Sequence, residues 1–264
     1  MKQQELKSAV QQVCKQSSLL QRILFSVLNA VTVRTWHVKR ELKKWMRTAP
    51  ERAHVLDAGS GVGQFSYWLS QVRPSFSVLA IDNCMEHVCG GNKFVRETKQ
   101  TNLHFKSACV SQIDQENAFD MILCTQVLEY ISDDQQTLEN FHNALRESGR
   151  IIITTKTQYK EDICHEDKAQ GIARCGYQMA ALKEKVKAAG FRKVKAHYSG
   201  GKFGRLAEKI GFSLPIRMLK LSSAFAVILP FYYILALPIS MVLNWMDSHS
   251  AHKDGEGIVL LALK

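Results

Sequence analysis

The sequence predicts an α/β fold, with a mostly parallel sheet covered by helices on both faces. From residue 51 onward, short apolar runs alternate with longer helical stretches, the pattern of repeated strand-helix-strand units. The uninterrupted apolar run Met121–Leu123 fits a strand that is buried on both faces of a parallel sheet. A glycine-rich turn, Gly59 to Gly63, separates the first predicted strand of this region from its first helix.

The composition is that of one globular core with appended segments. The chain has 264 residues, of which 46% are hydrophobic and 22% charged, and these values argue against a disordered chain or a polytopic membrane protein. The 35 Lys and Arg residues exceed the 24 Asp and Glu residues by 11, and a protein this basic attracts polyanions. Charge alone does not choose between RNA and an anionic membrane surface.

The seven cysteines form neither a Cys-x-x-Cys motif nor a Cys/His pair at metal-ligand spacing. We therefore expect reduced thiols in a cytosolic protein, and no metal site. The first twenty residues lack the apolar block of a secretory signal, which also favours a cytoplasmic location.

Residues 1–50 are expected to form an N-terminal helical cap. Apolar residues recur at three- and four-residue steps from Leu19 to Val31, which predicts an amphipathic helix. A second helix over 34–47 has one strongly basic face, either a solvated surface or a surface that meets membrane or RNA. Pro50 ends this region, because a proline disfavours helical backbone in the residue before it.

Residues 51–198 are expected to form the core. The predicted strands are His54–Asp57, Ser77–Ile81, Leu103–Lys106, Phe119–Thr125, Gly149–Thr155 and Phe191–His197. Helices are predicted at 63–73, 84–100, 135–147 and 177–189, the last ending at the C-cap candidate Gly190. An insertion over 199–256 follows, and 257–264 holds a final strand, Gly257–Leu263.

The glycine turn and two acids indicate the ligand of the core. Glycines at 59, 61 and 63 let the backbone approach a ligand, but Gln64 stands where a dinucleotide-binding loop would have its third glycine. Asp57 would repel a pyrophosphate, whereas it suits a ligand with ammonium and sulfonium groups, which is S-adenosylmethionine. Asp82 ends the next strand, where a carboxylate can accept hydrogen bonds from ribose hydroxyls.

At this point the chain resembles the class I S-adenosylmethionine-dependent methyltransferases. Five motifs carry the resemblance, and they stand in the family's order: Asp57 to Gly63, Asp82, Phe119 to Ile131, Leu145 to Thr155, and Ala188 to Phe191. The resemblance implies a Rossmann-like, seven-stranded sheet whose last strand is antiparallel, and Gly257–Leu263 looks like that strand.

The resemblance also implies roles for single residues. The methionine end of the cofactor would lie on the loop that contains Asp57, Gly59, Ser60 and Gly61, with Asp82 at the ribose. The remaining implied contacts are Asn83 and Cys84 beside the adenine, Gln126 near the sulfonium, and Ser107 and Ala108 where the family usually has an acid that reads the adenine amino group.

Methyl transfer is an in-line displacement at an activated carbon, so a general base is needed only if the acceptor must lose a proton. Many similar small-molecule enzymes carry Leu-Glu-His where this chain has Leu128-Glu129-Tyr130. Tyr130 and His165, which lies in the loop after the fifth strand, are therefore the candidate catalytic residues. The Cys164 to Asp167 run is rejected as a metal cluster, because adjacent side chains point in different directions.

The stretch Leu221–Met246 has 26 residues and no charge, enough to span a bilayer as one helix. A single span would, however, separate two strands that the resemblance makes neighbours in one sheet. Pro230 and Pro238 are expected to break the stretch into short pieces, which predicts a bent hairpin in one leaflet or a hydrophobic lid over the active site. Basic residues before it would face anionic headgroups: Lys202, Arg205, Lys209, Arg217 and Lys220.

The sequence therefore predicts a cytoplasmic methyltransferase, peripheral or monotopic at an anionic membrane, that uses S-adenosylmethionine. Its acceptor would be a lipophilic small molecule, such as a quinone precursor, a lipid or a polyketide-like compound. Oxygen is the expected site of methylation, with carbon and nitrogen as the alternatives. One alternative is an RNA methyltransferase, although the sequence contains no recognisable RNA-binding module. The other is a non-catalytic interaction protein with the same fold, and the oligomeric state is left open.

Overall fold

The computed structural model describes residues 17–158, 173–222 and 227–264, apart from the side chains of Lys220 and Pro230. The described residues fall into two compact units. The sheet unit comprises Met46–His197 and Gly257–Lys264, and the helical unit comprises the described residues up to Trp45 together with Tyr198–Glu256.

The helices and strands are numbered along the chain. The helices are α1 (Ser18–Val31), α2 (Val33–Trp45), α3 (Gln64–Val72), α4 (Met85–Glu97), α5 (Asp134–Ala144), α6 (Met179–Ala188), α7 (Lys202–Glu208), α8 (Leu214–Leu221) and α9 (Leu229–His249). The strands are β1 (His54–Ala58), β2 (Ser77–Asp82), β3 (Leu103–Ser107), β4 (Phe119–Thr125), β5 (Leu145–Lys156), β6 (Arg192–Ser199) and β7 (Gly257–Leu263). Short 3₁₀ turns cover Val110–Gln112 and Leu128–Tyr130, and a π-helical turn covers Lys209–Ser213.

The seven strands form one sheet in the order β3-β2-β1-β4-β5-β7-β6. The pairs from β3 through β5 are parallel, whereas β7 runs antiparallel to β5, with Ile152 opposite Leu261. The predicted seven-stranded, mostly parallel sheet is confirmed, and so is the antiparallel position of the last strand.

Burial on both faces explains the apolar strands at the centre of the sheet. The first six residues of β4 are all buried, and Ile122 and Leu123 are fully inaccessible to solvent. Ile152 of β5 and Leu260 of β7 are equally buried on the next two strands. A continuous apolar run rather than an alternating one is what such a doubly covered strand requires.

The largest boundary difference from the prediction in the sheet unit is at the start of β5. Helix α5 ends at Ala144, and β5 begins at Leu145 instead of Gly149. Leu145 is buried and pairs with Phe119, while the register shifts between Phe119 and Met121. Pairing with a strand that is distant in the sequence therefore extends β5 to residues 145–148, although their polar local sequence is typical of the end of a helix.

The cysteine prediction is wrong at one position. Cys84, Cys89, Cys109 and Cys124 are free thiols, but Cys175 is disulfide-bonded. Sequence spacing could not reveal this bond, because a disulfide depends on which residues the fold brings within reach.

The longest helix of the helical unit contradicts the expected break at Pro238. Helix α9 has 21 residues; Pro230 lies in its first turn, where no N–H is needed, and Pro238 lies inside it. Pro238 is exposed, and so is Ile234 four residues earlier. The carbonyl that loses its hydrogen bond to Pro238 therefore lies on the exposed side, where the loss is tolerated.

Polar contacts attach α9 to its neighbours in the helical unit. Asn244 Nδ2 donates to the Ala30 carbonyl at 3.0 Å, and the hydroxyls of Tyr232 and Tyr233 donate to the carbonyls of Ile210 and Gly211 at 2.7 and 2.9 Å. Across the three described ranges, no helix is both long enough and apolar enough to cross a membrane.

Candidate functional site

The candidate site lies at the carboxyl ends of β1, β2 and β4. Strand β1 pairs with β2 on one side and with β4 on the other, so Asp57 is opposite Ala80 and also opposite Leu123. The order of strands reverses at this point, and parallel sheets bind ligands in the crevice that such a reversal opens.

The turn after β1 is a tight glycine loop. Its glycines at 59, 61 and 63 all have positive φ, at 75°, 56° and 84°. The amides of Gly59 and Ser60 both donate to the Ile81 carbonyl at 2.9 Å, which ties the loop to the end of β2. A Cβ at Gly59 would lie 2.3 Å from a methyl carbon of Val127, so a larger residue would displace the loop that follows β4.

Asp57 carries a buried carboxyl group with a vacant acceptor. The residue is 1% exposed, and its Oδ2 accepts a hydrogen bond from the Ser66 hydroxyl. Among the described residues, no group donates to Asp57 Oδ1 or bonds to the buried Ser60 Oγ. Burial raises the pKa of Asp57 to about 6, although the Ser66 hydrogen bond opposes the shift. The end of β1 and the loop that follows it therefore hold two unsatisfied oxygens, to which a cationic group could donate hydrogen bonds.

Asp82 is held in place by three donors. Its Oδ2 accepts from the Gly61 amide at 2.8 Å, and its Oδ1 accepts from the Cys84 amide at 2.8 Å and lies 3.2 Å from His87 Nδ1. Burial raises the pKa of Asp82, but the hydrogen bonds from His87, Cys84 and Gly61 outweigh it and lower the pKa overall. The carboxylate is therefore ionised at neutral pH, and it has room for a further donor.

The other residues expected beside the adenine lie near Asp82. Asn83 is exposed, and Cys84 is half-buried at the start of α4. Ser107 pairs in register with Asp82, and the Ala108 amide donates to the Asp82 carbonyl at 3.2 Å. The backbone thus brings these four residues to one end of the sheet.

Gln126 occupies a strained turn after β4. It has φ of 55°, an unusual value for a residue with a side chain, and its amide donates to the Thr154 carbonyl at 2.8 Å. The next residue, Val127, fills the space beside Gly59. Gln126 therefore stands at the junction of the β4 turn and the glycine loop.

Of the two candidate catalytic residues, one can be located. Tyr130 is 38% exposed at the end of the 3₁₀ turn that follows β4. His165 lies outside the described residues.

Glu129 is a residue to which the sequence analysis gave no role. It is 3% exposed; its Oε1 accepts from the Thr155 hydroxyl at 2.7 Å and the Lys156 amide at 2.8 Å. Its Oε2 is buried and has no hydrogen-bond partner within the described ranges. Its position in the Leu-Glu-Tyr motif was the only sequence signal, because the contacts depend on how β4 and β5 end side by side.

Arg174 also went unrecognised in the sequence. Its guanidinium donates to the carbonyls of Leu128 at 3.0 Å and Ile131 at 2.7 Å, and it lies 3.1 Å from Asp134. The Tyr177 hydroxyl donates to the same carboxylate at 2.7 Å. These contacts fix the turn after β4 from the side of the segment that precedes α6.

Comparisons with known proteins agree with this geometry. A family model described as a methyltransferase domain matches residues 50–209, more than half of the chain. Ubiquinone biosynthesis O-methyltransferase of Rickettsia akari is 23% identical over 127 residues, which is 48% of this chain and 46% of that protein. Malonyl-[acyl-carrier protein] O-methyltransferase of a Paenibacillus species is 27% identical over 38% of each chain. The chain thus spans less than half the length of these curated relatives.

The fold has solved counterparts. Phosphoethanolamine N-methyltransferase 2 of Haemonchus contortus, solved in complex with S-adenosyl-L-methionine, aligns with a TM-score of 0.61 and 14% identity over 86% of this chain and 52% of that one. The [4+2]-cyclase SpnF aligns with a TM-score of 0.56 and 17% identity over 93% of this chain and 81% of that one. At such identities the likeness concerns the fold alone.

The raised pKa of Asp57 predicts a pH-dependent stability. The folded chain binds a proton at Asp57 up to a pH of about 6, whereas an unfolded chain releases it near 3.8, so this group destabilises the fold as pH rises through that interval. We expect Asp57→Asn to remove this loss of stability with rising pH, because the amide does not ionise. The stability of the variant relative to the parent, measured by urea unfolding, should rise by on the order of 2 kcal/mol between pH 4.5 and 7.5. Parallel pH profiles for the two proteins would contradict the prediction.

Proposed function

The chain belongs to the methyltransferase-domain family, and we propose that it transfers the methyl group of S-adenosylmethionine to a lipophilic small molecule at a membrane surface. The observation that carries the methyltransferase part is the pair of unsatisfied oxygens, Asp57 Oδ1 and Ser60 Oγ, beside a glycine loop at the reversal point of the sheet.

The residues of the loop fit the cofactor. Asp57 and Ser60 offer acceptors to the ammonium of the methionine end, and the positive-φ glycines leave that end free of Cβ atoms. Asp82 would accept from the ribose hydroxyls, because its carboxylate is ionised and already oriented by Gly61 and Cys84. Asn83, Cys84, Ser107 and Ala108 would surround the adenine, and Gln126 would lie near the sulfonium.

In the reaction, the chain itself would position the cofactor and the acceptor and exclude water from them. S-adenosylmethionine supplies a methyl carbon that is already activated for displacement. The Gln126 turn and the glycine loop would fix the direction from which the acceptor approaches the methyl carbon. Glu129 holds the ends of β4 and β5 together through its hydrogen bonds with Thr155 and Lys156. For a hydroxyl acceptor, Tyr130 and His165 are the proposed groups that assist removal of the proton.

Oxygen is the proposed atom of attack. The two curated relatives described above are both named O-methyltransferases. One of them is named for ubiquinone biosynthesis, which supports a quinone precursor among the lipophilic acceptors.

The proposed membrane contact rests on the two faces of α9. Its packed face holds polar residues, among them Ser240, Asn244 and Asp247, all buried. Its opposite face is exposed and apolar, and because α-helical residues advance by about 100° each, it forms one stripe. The stripe consists of Phe231, Ile234, Leu235, Ile239, Met241, Val242 and Trp245, each at least 43% exposed. An exposed apolar stripe of this size is characteristic of a surface that binds a partner or a membrane.

The positive charge of the segment before α9 favours an anionic bilayer as the partner that covers this stripe. The segment before α9 places exposed cations at Lys202, Arg205, Lys209 and Arg217. Basic residues in the sequence next to an apolar helix are typical of an interfacial membrane anchor, and a tryptophan such as Trp245 suits the headgroup level.

The ribose assignment predicts the effect of one substitution. Asp82→Ala should weaken S-adenosylmethionine binding at least tenfold, because two charge-assisted hydrogen bonds are lost at roughly 1.5 to 3 kcal/mol each. Titration calorimetry measures the effect, and the exposed acid Asp114, changed to Ala, is the matched control. Undiminished affinity in Asp82→Ala would show that the ribose lies elsewhere.

The apolar stripe predicts membrane binding. The full chain should pellet with vesicles of phosphatidylglycerol and phosphatidylcholine, and Leu235→Asp with Val242→Asp should reduce the bound fraction at least tenfold while cofactor binding persists. Val72, which is 44% exposed on α3, changed to Asp, is the control. If the double variant sediments like the parent, the stripe is not the membrane contact. If the parent does not sediment at all, the result favours a hydrophobic lid as the role of this segment.

The acceptor class is tested with labelled cofactor. The chain is incubated with methyl-tritiated S-adenosylmethionine and either a total lipid extract or total RNA, and we expect label in the lipid fraction. Label in RNA would establish the alternative that the net charge of +11 favours. Cofactor binding without label in either fraction would support the non-catalytic alternative.

A further inference from the structure

We propose that His37, Asp247 and His252, a set we name the helical-unit triad, bind one divalent transition-metal ion. The three residues come from helix α2, helix α9 and the segment after α9, all within the helical unit. One potential ligand atom from each lies within 4.8 Å of the others. The proposal concerns this unit alone and does not depend on the activity proposed for the sheet unit.

The geometry of the triad is that of ligands around a common centre. His37 Nε2 lies 3.1 Å from Asp247 Oδ2, and His252 Nε2 lies 3.3 Å from Asp247 Oδ1. Two ligands bonded to one zinc ion at 2.0 to 2.2 Å in tetrahedral geometry are separated by roughly 3.3 Å. The side chains of His37 and Asp247 are fully buried, and that of His252 is 9% exposed.

Backbone amides orient the carboxylate. Asp247 Oδ2 accepts from the Gly200 amide at 3.1 Å, and Oδ1 accepts from the Gly204 amide at 2.9 Å. Ligating carboxylates are characteristically hydrogen-bonded in this way by groups that do not themselves touch the metal. The carboxylate is thus fixed before an ion arrives.

The glycines of the same segment make room for the triad. A Cβ on Gly201 would lie 2.3 Å from His252 Nδ1, and a Cβ on Gly204 would lie 3.0 Å from the Asp247 carboxyl carbon. The Gly200-Gly201-x-x-Gly204 pattern therefore has a physical reason. Its residues supply two donors to Asp247 and the space for His252.

The donor set selects the kind of ion. Two imidazoles and one carboxylate suit zinc and its first-row neighbours, whereas magnesium and calcium prefer oxygen ligands alone. Histidine binds such ions through the lone pair of its neutral imidazole ring. With three protein ligands, the fourth position would be open to water.

The same contacts without metal would be hydrogen bonds alone. The Asp247 carboxylate would then accept three donors, the two glycine amides and His37 Nε2, while His252 Nε2 would donate to the Asp247 backbone carbonyl at 2.8 Å. Such an arrangement holds the helices together without a cofactor. It is the competing explanation that an experiment must separate from a metal site.

The test uses the untagged full-length chain, stripped with EDTA and dialysed. Zinc titration by calorimetry should give one ion per chain with a dissociation constant below 1 μM, a limit of about −8.2 kcal/mol. Cobalt should give visible d–d absorption, and saturating zinc should raise the Tm by several degrees. His37→Gln and His252→Gln should each weaken zinc binding at least tenfold, while the exposed His249, changed to Gln, should leave it unchanged.

The outcomes are distinct. A chain that binds no zinc below 100 μM and gains no thermal stability would overturn the proposal and leave the hydrogen-bonded network as the role of the triad. Zinc binding that persists in both ligand variants but falls in His249→Gln would identify an adventitious surface ion and overturn it equally. Circular dichroism of each variant establishes that a loss of binding is not a loss of fold.

Discussion

The reversal of strand order at β1 is the constraint on which the candidate site depends. Because β1 pairs in parallel with both β2 and β4, the acids at the ends of β1 and β2 and the turn after β4 converge at one edge of the sheet. The glycine loop is then tied to β2 through the Ile81 carbonyl and to Asp82 through the Gly61 amide. Without that pairing, Asp57, Asp82 and Gln126 would be unrelated positions in the chain.

Much of this site could be predicted from the sequence because its determinants are local. The glycines at 59 to 63 are required by backbone conformation, and Asp57 and Asp82 end apolar strands that are recognisable one at a time. What could not be predicted depends on pairing between distant segments. The early start of β5 follows from its partner β4, and the roles of Glu129 and Arg174 follow from contacts with Thr155 and Leu128 that no spacing encodes.

The helical unit shows even more clearly that contacts between distant segments cannot be predicted from local sequence. Hydrophobicity alone indicated a membrane-like stretch over 221–246, but it did not show that α9 continues through Pro238, or that its polar residues lie inside and its apolar residues outside. The burial of Asn244 Nδ2 and of the Asp247 carboxylate is compensated by tertiary partners, Ala30 and His37, which are more than 200 residues away. The triad was invisible for the same reason, since 210 residues separate His37 from Asp247.

The two units thus differ in the kind of group that they leave without a partner. The sheet unit presents buried acceptors without donors at Asp57 and Ser60, and the helical unit presents an apolar helix face to its surroundings. In the proposed function, a small cationic ligand would complete the first, and an apolar phase would cover the second. A methyltransferase that takes a lipophilic acceptor from a membrane needs both features, which is why we connect them in one function.

Hydrogen–deuterium exchange with and without S-adenosylhomocysteine tests the central claim, that the carboxyl edge of the sheet binds the cofactor. The account predicts slower exchange in the peptides that cover residues 56–66 and 80–88, with little change in α6. Unchanged exchange at both peptides, at a ligand concentration of 1 mM, would contradict the claim.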